Sequence, residues 1–164
     1  MKRFELVYDE DGTRAVATMH EAAAPEMTQA MWACLETPLM GLAMHAMFCG
    51  REIMLEMPEE NRRCDPTRIP AENQTITPAP GEIGFLYYPP RTFIDLQRPD
   101  DSDRDSAFWD FAIFYGRDVR MLTVLGLTPV TIFATITENL VEFAKRCEWV
   151  RSKGQKPFTV RRLG

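Results

Sequence analysis

His45 and Cys49 are the residues whose types and spacing first invite a chemical reading. A thiol four residues after an imidazole, in a stretch that reads as extended, points to the same side of the strand, because successive side chains alternate. Such a pair can be a nucleophile with its base, or half of a metal site. No third, orienting residue stands at a fitting spacing, and catalytic sets need one. Cys34, Cys64 and Cys147 complete no C-x-x-C pair, so a zinc ribbon or thioredoxin-type dithiol finds no support. Cys34 and Cys147 fall on the apolar stripes of two expected helices and read as small core hydrophobes. Neither a metal nor a cofactor is expected.

The elements that must position these residues are legible from the amino terminus onward. Residues 2–20 read as a hairpin: Phe4, Leu6 and Tyr8 alternate with Glu5 and Val7, and Asp11-Gly12 supplies the turn before Arg14–Met19. Pro25 lacks an N–H and has φ fixed near the helical value, so it starts a helix. Glu26 follows in the first turn, where the helix dipole favours a carboxylate. Met27, Ala30, Met31, Cys34 and Leu35 then form one apolar stripe, and Pro38 ends it. Residues 40–49 alternate as a strand with both faces largely covered, its methionines filling core gaps. Pro58–Pro70 reads as loop, and Pro78-Ala79-Pro80-Gly81 breaks an extended segment before the strand Glu82–Tyr88. Phe108–Tyr115 is a strongly apolar strand, and Leu122–Ile136 adds one or two more. Thr135-Ile136-Thr137-Glu138 fits a capping box, with Thr137 an alternative cap, opening a helix that buries Leu140, Phe143, Ala144 and Cys147. Gly154 ends that helix, and Phe158–Val160 closes the chain as a strand.

At 164 residues the chain has the size of one domain, 1–164. Apolar residues at 45% and charged residues at 26% suit a folded globular protein rather than a disordered or membrane class. The apolar runs fall far short of the roughly 20 residues of a spanning helix. The amino terminus lacks the apolar centre of a secretion signal, so the expected location is cytoplasmic. A net charge of −5 argues against nucleic-acid binding. Lys145, Arg146, Arg151, Lys153, Lys156, Arg161 and Arg162 make the carboxy-terminal end basic; this reads as a solvated face balancing acidic loops, the alternative being a patch for an anionic partner. Asp100, Asp101, Asp103 and Asp105 read as a solvated loop without the glycine and terminal glutamate of an EF-hand.

The total is about eight strands and two helices: a mostly β chain, with a closed barrel capped by the helices as the expected architecture. Closure removes the edge strands an open sheet would carry. Glu21–Thr28 (EAAAPEMT), His45-Ala46 and Gly50 within HAMFCG, Glu72-Asn73 within AENQTITPAPG, Tyr115-Gly116 and the helix spanning 136–144 are the matching residues through which the whole chain resembles a bacterial cyclophilin-like family of proteins of unknown function. The resemblance implies an eight-stranded cyclophilin-like barrel and no particular activity. Prolyl isomerases of that superfamily carry an arginine directly after a histidine on an early strand; here Ala46 follows His45 and cannot donate its charge-assisted hydrogen bond. Their phenylalanine-methionine-glutamine-glycine-glycine stretch is also absent. The closer family has an arginine, then an aromatic-serine-glycine, where this chain has Met47-Phe48-Cys49-Gly50.

The expected site is a small pocket lined by His45, Glu72 and Asn73, with Tyr115 and Cys49 as further candidates. An imidazole, a carboxylate, an amide and a phenol offer donors and acceptors for a small polar molecule or a peptide. The alternative is structural: His45 satisfied by a backbone carbonyl, Glu72 and Asn73 tying a loop to the barrel. Three function classes follow. The first is a binding barrel without strong prolyl isomerase activity. The second is an enzyme, as a degenerate prolyl isomerase or a cyclic-amide-processing activity. The third is an assembly protein, a homo-oligomer joined through Tyr87, Tyr88, Phe93 and Trp109.

Overall fold

A computed structural model describes residues 1–92 and 106–164. The strands are β1 (Arg3–Tyr8), β2 (Arg14–Met19), β3 (Leu39–His45), β4 (Glu52–Glu56), β5 (Gln74–Thr75), β6 (Glu82–Tyr88), β7 (Phe108–Phe114), β8 (Leu122–Thr123), β9 (Gly126–Leu127), β10 (Val130–Glu138) and β11 (Lys156–Arg162). The helices are α1 (Pro25–Cys34) and α2 (Leu140–Lys153), and two 3-10 turns lie at Glu59–Asn61 and Pro66–Arg68. Eight strands run in the order β2-β1-β11-β3-β4-β7-β6-β10, and β10 pairs back onto β2. Every pairing is antiparallel. The result is the mostly β, closed eight-stranded barrel that the strand count predicts, with β5 added beside β10 and β8–β9 forming a separate hairpin.

Alternation along the strands divides the apolar side chains between two clusters. Phe4, Leu6 and Tyr8 of β1, Ile53 and Leu55 of β4, and Phe111 and Ile113 of β7 point inward and are fully buried. Phe4, Phe111 and Phe133 meet there with ring centroids 5.5–6.4 Å apart. Met27, Met31 and Cys34 of α1 and Phe143, Cys147 and Val150 of α2 merge into this interior cluster. A second cluster lies on the outer wall, where Leu86 and Tyr88 of β6, Ala112 and Phe114 of β7 and Val130 and Ile132 of β10 are covered by Val119 and Met121. Burying both faces of β6 and β7 explains why those strands read as continuous apolar runs.

Four expectations are corrected. The strand at Leu39 ends at His45, and residues 46–51 turn, so Cys49 does not continue it. The outer face of β3 is open: Met40 is 64% and Leu42 50% exposed. The capping box before α2 does not form, because β10 runs on to Glu138 and pairs Thr135 with Thr18 and Glu138 with Val16. Ladder hydrogen bonds to β2 hold those residues, and Asn139, at φ 63°, turns the chain into α2. Tyr88 and Trp109, expected at the surface, are buried, since β6 and β7 sit under other segments on both sides. Phe93 and the acidic stretch Asp100 to Asp105 lie outside the described residues.

The basic carboxy-terminal residues are mostly paired. Arg146, 7% exposed, bonds Asp11 at 2.6 Å and Glu10 at 2.9 Å and lies over the Tyr8 ring. Lys156 reaches Glu10, Arg151 reaches Glu148, Lys145 reaches Glu142, and Arg161 reaches Glu5. Among the described residues no helix is long and apolar enough to cross a membrane.

Candidate functional site

The outer-wall cluster borders a cavity of about 870 Å³ between β3, β4, β6 and β7 and the segments 46–49 and 121–124. Its apolar walls include Met44, Phe48, Met54, Leu86, Phe108 and Met121. Three strand carboxyls break this apolar surface, two of them buried. On β4, Ile53 and Leu55 face inward, so Glu52, Met54 and Glu56 face the cavity wall. On β7 the same parity turns Asp110 outward beside Ala112, directly opposite Glu56 in register. Glu52 is 1% and Asp110 4% exposed.

Their electrostatics follow from that burial. Glu52 is pushed up to about 7, chiefly by desolvation. Asp110 is raised well above the carboxylate range, first by burial and then by the charge of Glu52. Glu52 Oε2 and Asp110 Oδ1 have no hydrogen-bond partner among the described residues. Burial, followed by the nearby carboxyls, also raises the Tyr88 phenol and the Cys49 thiol. Two interacting carboxyls whose hold on a proton is strengthened by burial can donate a proton to a bound group, accept one from it, or pair with a cation.

The residues proposed from sequence are divided by the fold. His45 lines the cavity at the end of β3, and its Nε2 lies 2.8 Å from the Tyr115 hydroxyl, which donates to Glu148 Oε2 at 2.9 Å. His45 Nδ1 lies 2.8 Å from the Ala46 carbonyl, so both ring nitrogens are engaged. The carbonyl can only accept, which places a proton on Nδ1. Tyr115 is raised by burial and by Glu148, while Glu148 is lowered by the phenol's hydrogen bond. Cys49 also lines the cavity, but its thiol donates to the Leu122 carbonyl at 3.2 Å. A thiol raised by burial and donating to a backbone carbonyl, with both nitrogens of the cavity's imidazole occupied elsewhere, is not an activated nucleophile.

Glu72 and Asn73 do not line this cavity. Glu72 accepts from the Met27 amide at 3.0 Å and the Glu26 amide at 3.3 Å, at the first turn of α1. Ala24 has no side-chain acceptor to cap that helix, and a carboxylate more than forty residues away supplies it. Asn73, at φ 42°, donates to the Ile132 carbonyl at 2.9 Å. Replacing Glu72 by alanine is expected to cost about 1 kcal/mol, read in thermal denaturation as a fall of roughly 2–4 °C, with ligand affinity at the cavity unchanged. Among the described residues no group of three histidine, cysteine or carboxylate side chains could hold a metal ion.

Glu52 and Asp110 were missed by sequence reasoning, although Asp110 did leave a signal. It is the lone charge in Phe108-Trp109-Asp110-Phe111-Ala112-Ile113-Phe114, a run that must be buried on both faces. A carboxylate there is costly unless it serves a ligand or a partner.

No curated protein matches this sequence. Among solved structures, the structure of McbB in complex with tryptophan superposes with a TM-score of 0.63 at 19% identity, covering 98% of this chain and 45% of that one. This chain thus spans less than half the length of that neighbour, and the likeness is one of fold. The sequence profile of the DUF3830 proteins, a family of unknown function, matches residues 6–161, and the chain belongs to that family.

Proposed function

We propose that the outer-wall cavity binds a small molecule with an apolar, ring-sized body and a protonated amine, the amine seated against Glu52 and Asp110. One observation carries this: two buried carboxyls line the cavity, each with an oxygen that lacks a partner among the described residues. Leaving a buried polar atom unpaired costs about 1–3 kcal/mol, and more for a charged group. An ammonium offers three donors and the opposite charge, while Phe48, Tyr88 and Phe108 offer ring faces to the rest of the ligand. The volume lies within the range of roughly 300–1,000 Å³ usual for small-molecule sites. McbB was solved with tryptophan, a molecule that joins an ammonium to an aromatic ring, so tryptophan belongs among the probes.

Calorimetric titration with phenethylamine, tryptophan, the neutral alcohol 2-phenylethanol and phenylacetate tests the proposal. The amines are expected to bind, the alcohol more weakly, and the carboxylate not at all. Equal binding by phenylacetate would overturn it.

An enzymatic reading rests on Glu52, whose carboxyl near 7 suits general acid–base work at neutral pH. Kinship of the barrel with cyclophilin-like proteins belongs to the same proposal. With Ala46 in place of an arginine, prolyl isomerisation is expected near background in a peptide assay.

A further inference from the structure

The segment between β4 and β5 straps α1 at both ends. Near its start, Asn61 is fully buried and its amide donates to the Cys34 carbonyl at 2.9 Å and the Thr37 carbonyl at 3.1 Å, holding the carboxy-terminal end of the helix. At the far end of the strap, Glu72 accepts from the first-turn amides of α1. Between these two anchors sits Cys64, half-buried, with its Sγ 4.0 Å from the Sγ of Cys34. Its neighbour Arg63 forms an ion pair with Glu36, just past the helix, and Asp65 accepts from the Thr67 amide at 3.1 Å. Residues on both sides of Cys64 are thus fixed by contacts that do not involve sulfur.

We infer that Cys34 and Cys64 are the site of an intramolecular disulfide that makes the strap covalent when the chain meets a small-molecule disulfide. The two sulfurs need only approach from 4.0 Å to bonding distance, about 2 Å. The anchors already place the backbone, so side-chain rotation supplies most of that movement. Cys34 is fully buried and Cys64 is the more accessible partner, which orders the steps. The Cys64 thiol gives its proton to solvent and its sulfur attacks one sulfur of the small disulfide, releasing one small thiolate, which takes up a proton. Cys34 loses its proton in turn and attacks Cys64 Sγ, expelling the second small thiolate, which is protonated likewise. The protein dithiol is oxidised by two electrons and the small disulfide is reduced to two thiols. In the reduced pair the shared hydrogen bond lowers Cys34 and, together with burial, raises Cys64; once Cys64 is in the mixed disulfide that hydrogen bond is gone, and Cys34 attacks because its sulfur is held close. The other two cysteines, Cys49 and Cys147, are buried and engaged elsewhere, Cys49 donating to the Leu122 carbonyl and Cys147 accepting from the Tyr8 hydroxyl. Glu59 and Arg62 of the same strap line the cavity, so the bridge also tethers part of its rim.

The test is incubation of the full-length native chain with oxidised glutathione, followed by thiol counting in denaturant and peptide mapping. The expected result is a fall from four free thiols to two, a peptide pair joined through Cys34 and Cys64, and a rise in Tm of roughly 5–10 °C. Cys64→Ser, a near-isosteric change at a half-buried position, is expected to keep its remaining thiols free and to show no rise. Four thiols remaining free in the wild-type chain, a different cysteine pair, or a glutathione adduct persisting on Cys64 would each overturn the inference. None of these outcomes depends on what the cavity binds.

Discussion

Converting Glu52 to glutamine and Asp110 to asparagine together is expected to abolish measurable amine binding, lowering affinity about 100-fold or more. Removing one partner from a buried charged pair costs about 2–5 kcal/mol, and here both carboxyls change while side-chain size is kept. The same double variant is expected to be more stable than the parent without ligand, because two buried carboxyls, each with one oxygen that lacks a donor, are replaced by neutral groups of the same shape. Calorimetric titration with phenethylamine and thermal denaturation of the unliganded protein read the two effects separately. Opposite signs for affinity and stability mark a site built for a ligand. A variant that loses stability while binding amines as the parent does would show that the carboxyls hold the fold and not a ligand.

Acid is expected to stabilise the unliganded protein relative to mild base, the reverse of the usual behaviour of a protein held by salt-bridged carboxylates. Burial pushes Glu52 up to about 7 in the folded state from the ordinary glutamate value of 4.5, so between those values the native chain keeps a proton that the unfolded chain has released. Where the native state binds more protons, stability falls as pH rises. The contribution is fully present below about 4.5 and is lost through about 7. For Glu52 alone it is on the order of 3 kcal/mol, or roughly 6–12 °C in Tm between pH 5 and pH 8. Asp110 is raised too, and works in the same direction. Asp11 and Glu148, whose carboxyls are held low, oppose this only at more acidic pH. Thermal unfolding at pH 5, 6.5 and 8 should show the decline, and it should flatten in the double amide variant. A saturating amine should also shrink it, because an ammonium favours the ionised carboxyls. A parent Tm that climbs steadily from pH 5 to pH 8 would sink the electrostatic account of the cavity.

Much of the barrel was legible because its signals are local. Pro25 opens α1 as its missing N–H requires, and Asp11-Gly12 turns between β1 and β2. Gly154, at φ 82°, ends α2 where a left-handed residue is needed. The misread places are those where a distant partner competes with a local preference. Thr135 to Glu138 carry a helix-cap pattern, yet β2 recruits them into a strand. Tyr88 and Trp109 look like surface aromatics until the covering segments are in place.

The site divides along the same line. The sequence by itself determined that His45, Cys49 and Tyr115 carry groups able to bond a ligand, and that about eight strands and two helices follow in an order a closed barrel satisfies. Only the tertiary structure decided that both His45 nitrogens are engaged by Tyr115 and Ala46, that Glu72 caps a helix, and that Glu52 and Asp110 share one apolar wall. The physical reason is that a side chain's chemistry is inherited from its type, whereas the solvation and pairing that set its charge depend on neighbours. For Asp110 those neighbours stand on β4, more than fifty residues away along the chain.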